Sequence, residues 1–411
     1  MKKQKNVDSA KVAAPTDVAK AKKVEKPKAP EKQPLAPKKT PGKTRVVHIL
    51  SDTNVGGAGK YLITYLKNYD RERYDCIVIL PQNSKLSAEA AACGVQIIEA
   101  EGIADKSFSR HGVMSLCKIL FKLKPDIIHT HSTLSGRIAG KIATTAKMVY
   151  TRHSVFPPDE YLTRGWGYKL NKWLNKYAAD GIIAVCEAAK QNLILTGVEP
   201  EQIKVIYNGV EPLEVKGNDD KLDFCTKYGL NPEVPIAAIA ARLTLVKGQR
   251  YIVEAAKMLK SNDVPIQVVI AGTGDEEKNL KLWAKNLGVL NKNVFFVGFL
   301  DDVTLLMNAM DIQLNASFGT EAASLALMEG MSLGKPAVVS NFGGNPEIIT
   351  NGINGYVVPQ KDSHSMAAAM EKLLKDDKGL KNNCINTYKK RFTAKKMVTE
   401  MEKYYENIMQ K

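Results

Sequence analysis

No run of about 18 apolar residues occurs in the 411-residue chain, so no membrane-spanning helix is expected. The N-terminus lacks the apolar core of a signal peptide, and export is not expected either. Cysteine is scarce. Cys76, Cys93, Cys117, Cys186, Cys225 and Cys384 are scattered without Cys-x-x-Cys spacing, which argues against zinc modules and a disulfide framework and for reduced thiols in a cytoplasmic protein. Neither His-x-x-x-His nor Asp-x-Asp occurs, so no metal site is expected. What is present is ordinary globular material, 44% hydrophobic and enough for two or three domains.

The formal charge of +16 is concentrated at one end. Residues 1 to 44 hold thirteen lysines against four acids, a net +9, which leaves +7 for the other 367 residues. Residues 1–43, rich in Lys, Pro and Ala, cannot bury enough apolar surface to order themselves and are expected to form a disordered arm. Such an arm can act as a solubilising leader or draw the protein to an anionic membrane surface. Nucleic acid is disfavoured as a partner, because the arm has no aromatic residue to stack on bases.

From Thr44 onward aliphatic runs alternate with helical patterns. Val46–Leu50, Cys76–Leu80, Val95–Ile98, Asp126–His129, Met148–Thr151 and Gly181–Val185 read as strands, and Ile236–Ala240 and Gln267–Ala271 open a second series. Continuous apolar strands separated by helices predict parallel sheets covered on both faces. The expected class is therefore α/β, with two doubly wound Rossmann-like domains facing across a cleft and ligand at the carboxyl ends of their strands. The turn Tyr207-Asn208-Gly209-Val210 divides them into 44–207 and 208–390, with a C-terminal helix over 391–411 that returns to the first domain.

The richest chemistry lies between Ser317 and Glu347. The strand Asp311–Asn315 leads to a helix expected over Ala323 to Leu333, with Glu321 and Glu329 eight residues apart around its start. Unpaired N–H groups at Ala322, Ala323, Ser324 and Leu325 would hold a diphosphate. Eight residues at helical rise span on the order of 12 Å, enough for one carboxylate to hold each end of a sugar nucleotide. Two further loops carry suitable groups: Gly56-Gly57 after the first strand, where glycine admits close approach and positive φ, and Arg242 with Lys247 after the first strand of the second series.

Glu321-x7-Glu329, followed by Gly334-Lys335-Pro336 and Gly343-Gly344-x-x-Glu347, resembles the donor-site signature of retaining, nucleotide-sugar-dependent glycosyltransferases of family 4, which have the GT-B fold. Arg242-x4-Lys247-Gly248 resembles that family's Gly-Arg-x4-Lys-Gly, with Ala241 for the first glycine and Val246 where an acidic or amide residue is usual. Gly59 stands where many relatives are acidic, so acceptor contacts made there do not carry over.

The resemblance implies a UDP- or GDP-linked sugar as donor, with a saccharide or lipid-linked acceptor bound mainly by the first domain. It implies a phosphate grip by Arg242, Lys247 and the Ala322 to Leu325 backbone, ribose held by Glu329, donor sugar held by Glu321 with His153 beside it, and no catalytic metal or cofactor. With no protein nucleophile evident, it implies same-face displacement within an ion pair. A nucleotide-sugar 2-epimerase and a non-catalytic sugar-nucleotide-binding protein are the alternatives.

Two features remain. His131 and His153 end successive strands and are expected at the cleft rim, whereas His129 is expected in the core or behind the site. The stretch 161–177 alternates aromatics with Arg164, Lys169, Lys172 and Lys176. It is read first as a helix packed over the first sheet with snorkelling lysines, and otherwise as a peripheral contact at the inner face of the cell membrane.

Overall fold

The computed structural model describes residues 39–131, 133–375 and 379–410. Most of the basic arm expected over residues 1–43 lies outside them.

Seven parallel strands form the first sheet: β1 (Thr44–Leu50), β2 (Tyr74–Pro81), β3 (Gln96–Ala100), β4 (Ile127–His131), β5 (Lys147–Arg152), β6 (Gly181–Ala184) and β7 (Ile203–Val205), in the order β3-β2-β1-β4-β5-β6-β7. Six more, β8 (Ile236–Ala240), β9 (Gln267–Ala271), β10 (Val294–Gly298), β11 (Ile312–Asn315), β12 (Ala337–Ser340) and β13 (Gly355–Val358), form the second in the order β10-β9-β8-β11-β12-β13. The order reverses between β1 and β4 in one sheet and between β8 and β11 in the other. At these switch points the loops leaving neighbouring strands diverge and open a crevice at the carboxyl ends.

Strand alternation sorts the core. Val46, His48 and Leu50 of β1 face Tyr61, Tyr65 and Tyr405, while Val47 and Ile49 face Leu116 and Leu120 on the other side. Tyr405, Met397 and Met401 belong to the last helix, Ala394–Gln410, which follows the second sheet in sequence and packs on the first. The chain crosses over at Val210, whose N–H donates to Phe392 O while Ala394 N donates back to Val210 O. A further cluster joins Cys186 and Ala189 to Ala322, Met328 and Ile348.

The aromatic stretch differs from its first reading. In the helix Gly165–Ala178 only Gly167, Asn175 and Ala178 are buried, and Trp166 is 83% exposed and Trp173 57%. The helix is tied to the body through Asn171, which donates to Thr196 O, and buried Asn175, which accepts from Arg137 Nη1, and the large apolar residues are turned out together with Leu170 and Tyr177. No helix among the described residues is long and apolar enough to cross a membrane. The six cysteines are free thiols.

Candidate functional site

The loops leaving β8 and β11 at the second switch point interlock. Phe318 N donates to Val246 O, and a Cβ on Gly319 would stand 2.5 Å from Val246 Cγ1. Val246, where the family usually has a polar residue, therefore packs on this loop. Lys247 follows it and Nζ reaches Glu321 Oε2 at 2.8 Å and Thr320 O at 3.1 Å. The same Glu321 oxygen accepts from Asn315 Nδ2 and Ser317 Oγ, each at 3.1 Å. Lys247 and Glu321, read separately as phosphate and sugar ligands, are thus one ion pair. A lysine ammonium has three N–H donors, and two are accounted for.

The helix starts later than its apolar spacing predicts. It runs Leu325–Ser332, with Ser324 as N-cap accepting from Leu327 N. Glu321 consequently lies on the preceding loop, so the two glutamates are not separated by eight helical residues. The N–H groups of Ala322, Ala323, Ser324 and Leu325 carry no hydrogen bond among the described residues. Beneath them runs the Gly343-Gly344 turn: a Cβ on Gly343 would lie 2.0 Å from Glu321 O, and one on Gly344 2.0 Å from Ala322 O. Gly343 also has φ +56. These glycines let the turn support the backbone that carries Glu321.

Glu329 sits half-buried on that helix. Burial pushes its carboxyl above the usual range, Lys60 of the first domain pulls it down, and Asp302 pushes it up. No hydrogen bond holds the carboxylate among the described residues. Arg242 is exposed after β8, and its guanidinium likewise makes no hydrogen bond among them. Its charge reaches Asp52 at the end of β1, whose carboxyl is raised by burial and by Asp105 and lowered by Arg242. That interaction shows that the ends of β1 and β8 face one another.

Gly57 opens the helix Gly57–Asn68 rather than lying in a loop, and Gly56 is its N-cap at φ −112. Neither needs positive φ, and a Cβ on either would meet nothing within 4 Å, so the space before them is open. Gly59 is buried, and a Cβ there would stand 3.2 Å from Leu86 Cδ1, so a side chain at this position requires Leu86 to shift.

The histidines depart most from the sequence reading. His131 is fully buried rather than at the rim, and His153 is partly buried behind Tyr61, with ring centroids 4.8 Å apart. His131 Nδ1 lies 3.0 Å from His153 Nε2, and His131 Nε2 lies 3.2 Å from His48 Nδ1. His129 is in the core, its two ring nitrogens each 2.6 Å from a hydroxyl, of Tyr405 and Thr151. Ligand atoms of His48, His129 and His131 fall within 4.8 Å of one another, a cluster that no short spacing announces because His48 comes from a different strand. Both nitrogens of His129 already have partners, however, and its ring stacks on His131 at 4.4 Å, which does not converge their lone pairs on one point.

Domain contacts complete the site. Glu321 N donates to Val155 O, two residues beyond His153. Glu347, the last residue of the Gly-Gly-x-x-Glu motif, accepts at 2.8 Å from each of Glu187 N and Ala188 N at the start of the helix Glu187–Leu195, and from Tyr207 Oη at 2.9 Å. It anchors the second domain to a helix N-terminus of the first. Sequence reasoning also missed Asn315, Ser317, Lys60 and Asp302. Only Asn315 and Ser317 left a signal, as polar residues where an apolar strand ends.

The sequence matches the description "Glycosyltransferase Family 4" over residues 55–212 and "Glycosyl transferases group 1" over residues 220–391. It is also 31% identical over 306 residues to the UDP-Gal:alpha-D-GlcNAc-diphosphoundecaprenol alpha-1,3-galactosyltransferase of Escherichia coli, covering 71% of this chain and 78% of the relative. The chain belongs to the group 1, family 4 glycosyltransferases. The amylovoran biosynthesis glycosyltransferase AmsK of Erwinia amylovora is 26% identical over 309 residues, 71% of this chain and 74% of the relative. Among solved structures, HepE of Anabaena in complex with UDP superposes with a TM-score of 0.76 at 22% identity, covering 89% of this chain and all of that one, a likeness of fold. This glycosyltransferase thus has the two-sheet GT-B architecture, and the candidate site residues gather at both switch points.

Proposed function

We propose that this glycosyltransferase works with retention, moving a sugar from a UDP-linked donor to a lipid-diphosphate-linked saccharide at a membrane surface. The observation that carries the reading is the convergence, at one switch point, of an exposed guanidinium (Arg242), a Lys247–Glu321 pair, the N–H groups of Ala322 to Leu325 and the Glu329 carboxylate, with Arg242, those N–H groups and Glu329 making no hydrogen bond among the described residues. Arg242, Lys247 and the backbone N–H groups take the diphosphate, Glu329 the ribose hydroxyls and Glu321 the sugar hydroxyls. His153 and the open space at Gly56-Gly57 border the same cleft from the first domain. Diphosphate gains charge as the anomeric C–O bond breaks, and fixed cations act most strongly where charge develops. The electron pair leaves with the diphosphate, the acceptor oxygen bonds to the anomeric carbon on the same face, and its proton passes to the departing phosphate oxygen.

The acceptor reading draws on the activity for which the E. coli relative is named and on the exposed face of Trp166, Leu170, Trp173 and Tyr177 with Lys169 and Lys176 beside it. Aromatics at headgroup level flanked by lysines suit a shallow, anionic interface. Residues 1–43 would add long-range attraction, about 1 kcal/mol per lysine near the surface before screening. The test is transfer from UDP-sugars to an undecaprenyl-diphosphate saccharide, read by mass spectrometry, with the anomeric configuration of the product read by NMR. An inverted product removes the retaining mechanism, and donor turnover to an epimer without acceptor removes transfer.

A further inference from the structure

The three histidines running from the interior to the cleft are joined edge to edge. His48, His131 and His153 lie on β1, at the end of β4 and just after β5. The centroid separations are 5.5 Å for His48–His131 and 5.2 Å for His131–His153, against N···N distances of 3.2 and 3.0 Å. In each pair the difference is about one ring width, and the planes are inclined by only 18° and 28°. The nitrogens therefore point at each other along the line of centres. A metal on that line, at about 2.0 to 2.1 Å from each nitrogen, would need roughly 4 Å between them. On that line there is room for a proton and nothing larger.

Burial keeps the chain neutral. Loss of solvent lowers His48 to about 3 and holds His131 well below its ordinary value, and His153 is lowered by the same cause and by the Arg152 charge. A neutral imidazole has one N–H and one lone pair, so two head-to-tail hydrogen bonds run in one direction or the other. The inner end decides which. Among the described residues His48 Nε2 is buried with no hydrogen-bond partner. If the bonds run inward, that atom is an orphaned N–H donor; if outward, it is only an unfilled acceptor. Orphaned buried N–H groups are the rarer and costlier case.

We infer that His48 and His131 act as positioning residues that hold all three rings with the proton on Nδ1, so that His153 presents its Nδ1–H to the cleft as a fixed hydrogen-bond donor. His153 then stabilises an oxygen of the bound donor or acceptor and does not serve as a base through Nδ1. Tyr61, edge-on to both outer rings, and the hydroxyls of Tyr405 and Thr151 on His129 keep neighbouring groups from offering a competing acceptor. The effect on transfer rests on the function proposed above, whereas the tautomer itself does not.

The test is two-bond 1H–15N correlation on the full chain with 15N-histidine, where the presence of only six histidines makes assignment by single His→Gln substitutions practical. Expected are pyrrole-type Nδ1 and pyridine-type Nε2 shifts for His48, His131 and His153, without any nucleotide present. A pyridine-type Nδ1 at His153 overturns the inference. His131→Leu, which removes the donor to His153 Nε2 and puts no polar group in its place, should release His153 toward the Nε2–H tautomer. It should lower kcat by roughly 10-fold or more through loss of that donor while UDP affinity stays unchanged. An unchanged His153 tautomer in the folded variant overturns the positioning role. If the variant does not fold, the wild-type spectrum still decides. The predicted tautomers in an enzyme that fails to transfer sugar would leave the chain intact and sink only the proposed function.

Discussion

Lys247 Nζ lies 2.8 Å from Glu321 Oε2, although the two residues are 74 positions apart and leave different strands. The pair ties the proposed phosphate grip to the proposed sugar contact, so neither acts alone. Lys247→Ala should lower kcat/KM by roughly 10²-fold and Glu321→Ala by a similar factor, and the double variant should lose much less than their product. Steady-state kinetics on the four proteins measures the coupling, and simple multiplication of the losses would contradict it.

Arg242 offers the cleaner separation of function from fold. Because its exposed guanidinium makes no hydrogen bond among the described residues, Arg242→Ala should leave Tm nearly unchanged while kcat/KM falls roughly 10²-fold. Thermal denaturation alongside kinetics checks both halves, and full turnover would remove Arg242 from the mechanism.

Glu329 gives a pH-dependent expectation. Its folded pKa is raised by burial above the unfolded value, so its charge costs stability at neutral pH, and that cost is relieved as pH falls through the folded value. Glu329→Gln should therefore be more stable than wild type at neutral pH, with the gain vanishing in acid. UDP affinity should drop about 10- to 100-fold through loss of charged hydrogen bonds to ribose. Wild-type UDP binding should also weaken as Glu329 protonates, while the variant's response should be flatter. Calorimetry across pH tests this, and undiminished affinity in the variant would place the ribose elsewhere.

Two glycines should behave in opposite ways. Gly343→Ala combines φ +56 with a Cβ 2.0 Å from Glu321 O and should destabilise by about 2 kcal/mol or more. Gly57→Ala begins a helix in open space and should be neutral or stabilising by up to about 1 kcal/mol, yet weaken donor binding by filling room the ligand uses. Denaturant unfolding and UDP titration distinguish them, and unchanged donor affinity in Gly57→Ala would show that the ligand does not approach there.

For the exposed helix, Trp166→Ala with Trp173→Ala should cut binding to anionic liposomes roughly 10-fold or more without affecting Tm, since both rings already lie outside the core. Added salt and deletion of residues 1–43 should weaken sedimentation further. A full-length protein that stays in the supernatant at low salt would end the membrane reading and the preference for a lipid-linked acceptor.

The strands, the two-series α/β pattern and the glutamate, arginine and lysine motifs were legible in the sequence, because each rests on local periodicity or on residues close together in the chain. Aliphatic runs name buried parallel strands, and a polar residue ending such a run, as at Asn315, marks the carboxyl edge where ligands gather. What depends on meetings between distant segments was not legible. The Lys247–Glu321 pair, the cap that Glu347 places on the helix Glu187–Leu195, and the contact of Tyr405 with His129 within the expected return of the C-terminal helix join elements whose register no local pattern encodes. The helix Gly165–Ala178 could not be oriented from its sequence, since aromatics alternating with lysines fit either a packed or an exposed face. Only the tertiary contacts of Asn175 and Ala178 turned the tryptophans outward. The histidines show the division most sharply. The sequence supplied His131 and His153 at two strand ends, but β1 and β4 had to pair with His48 opposite His129 before the three rings could align into a single chain of hydrogen bonds.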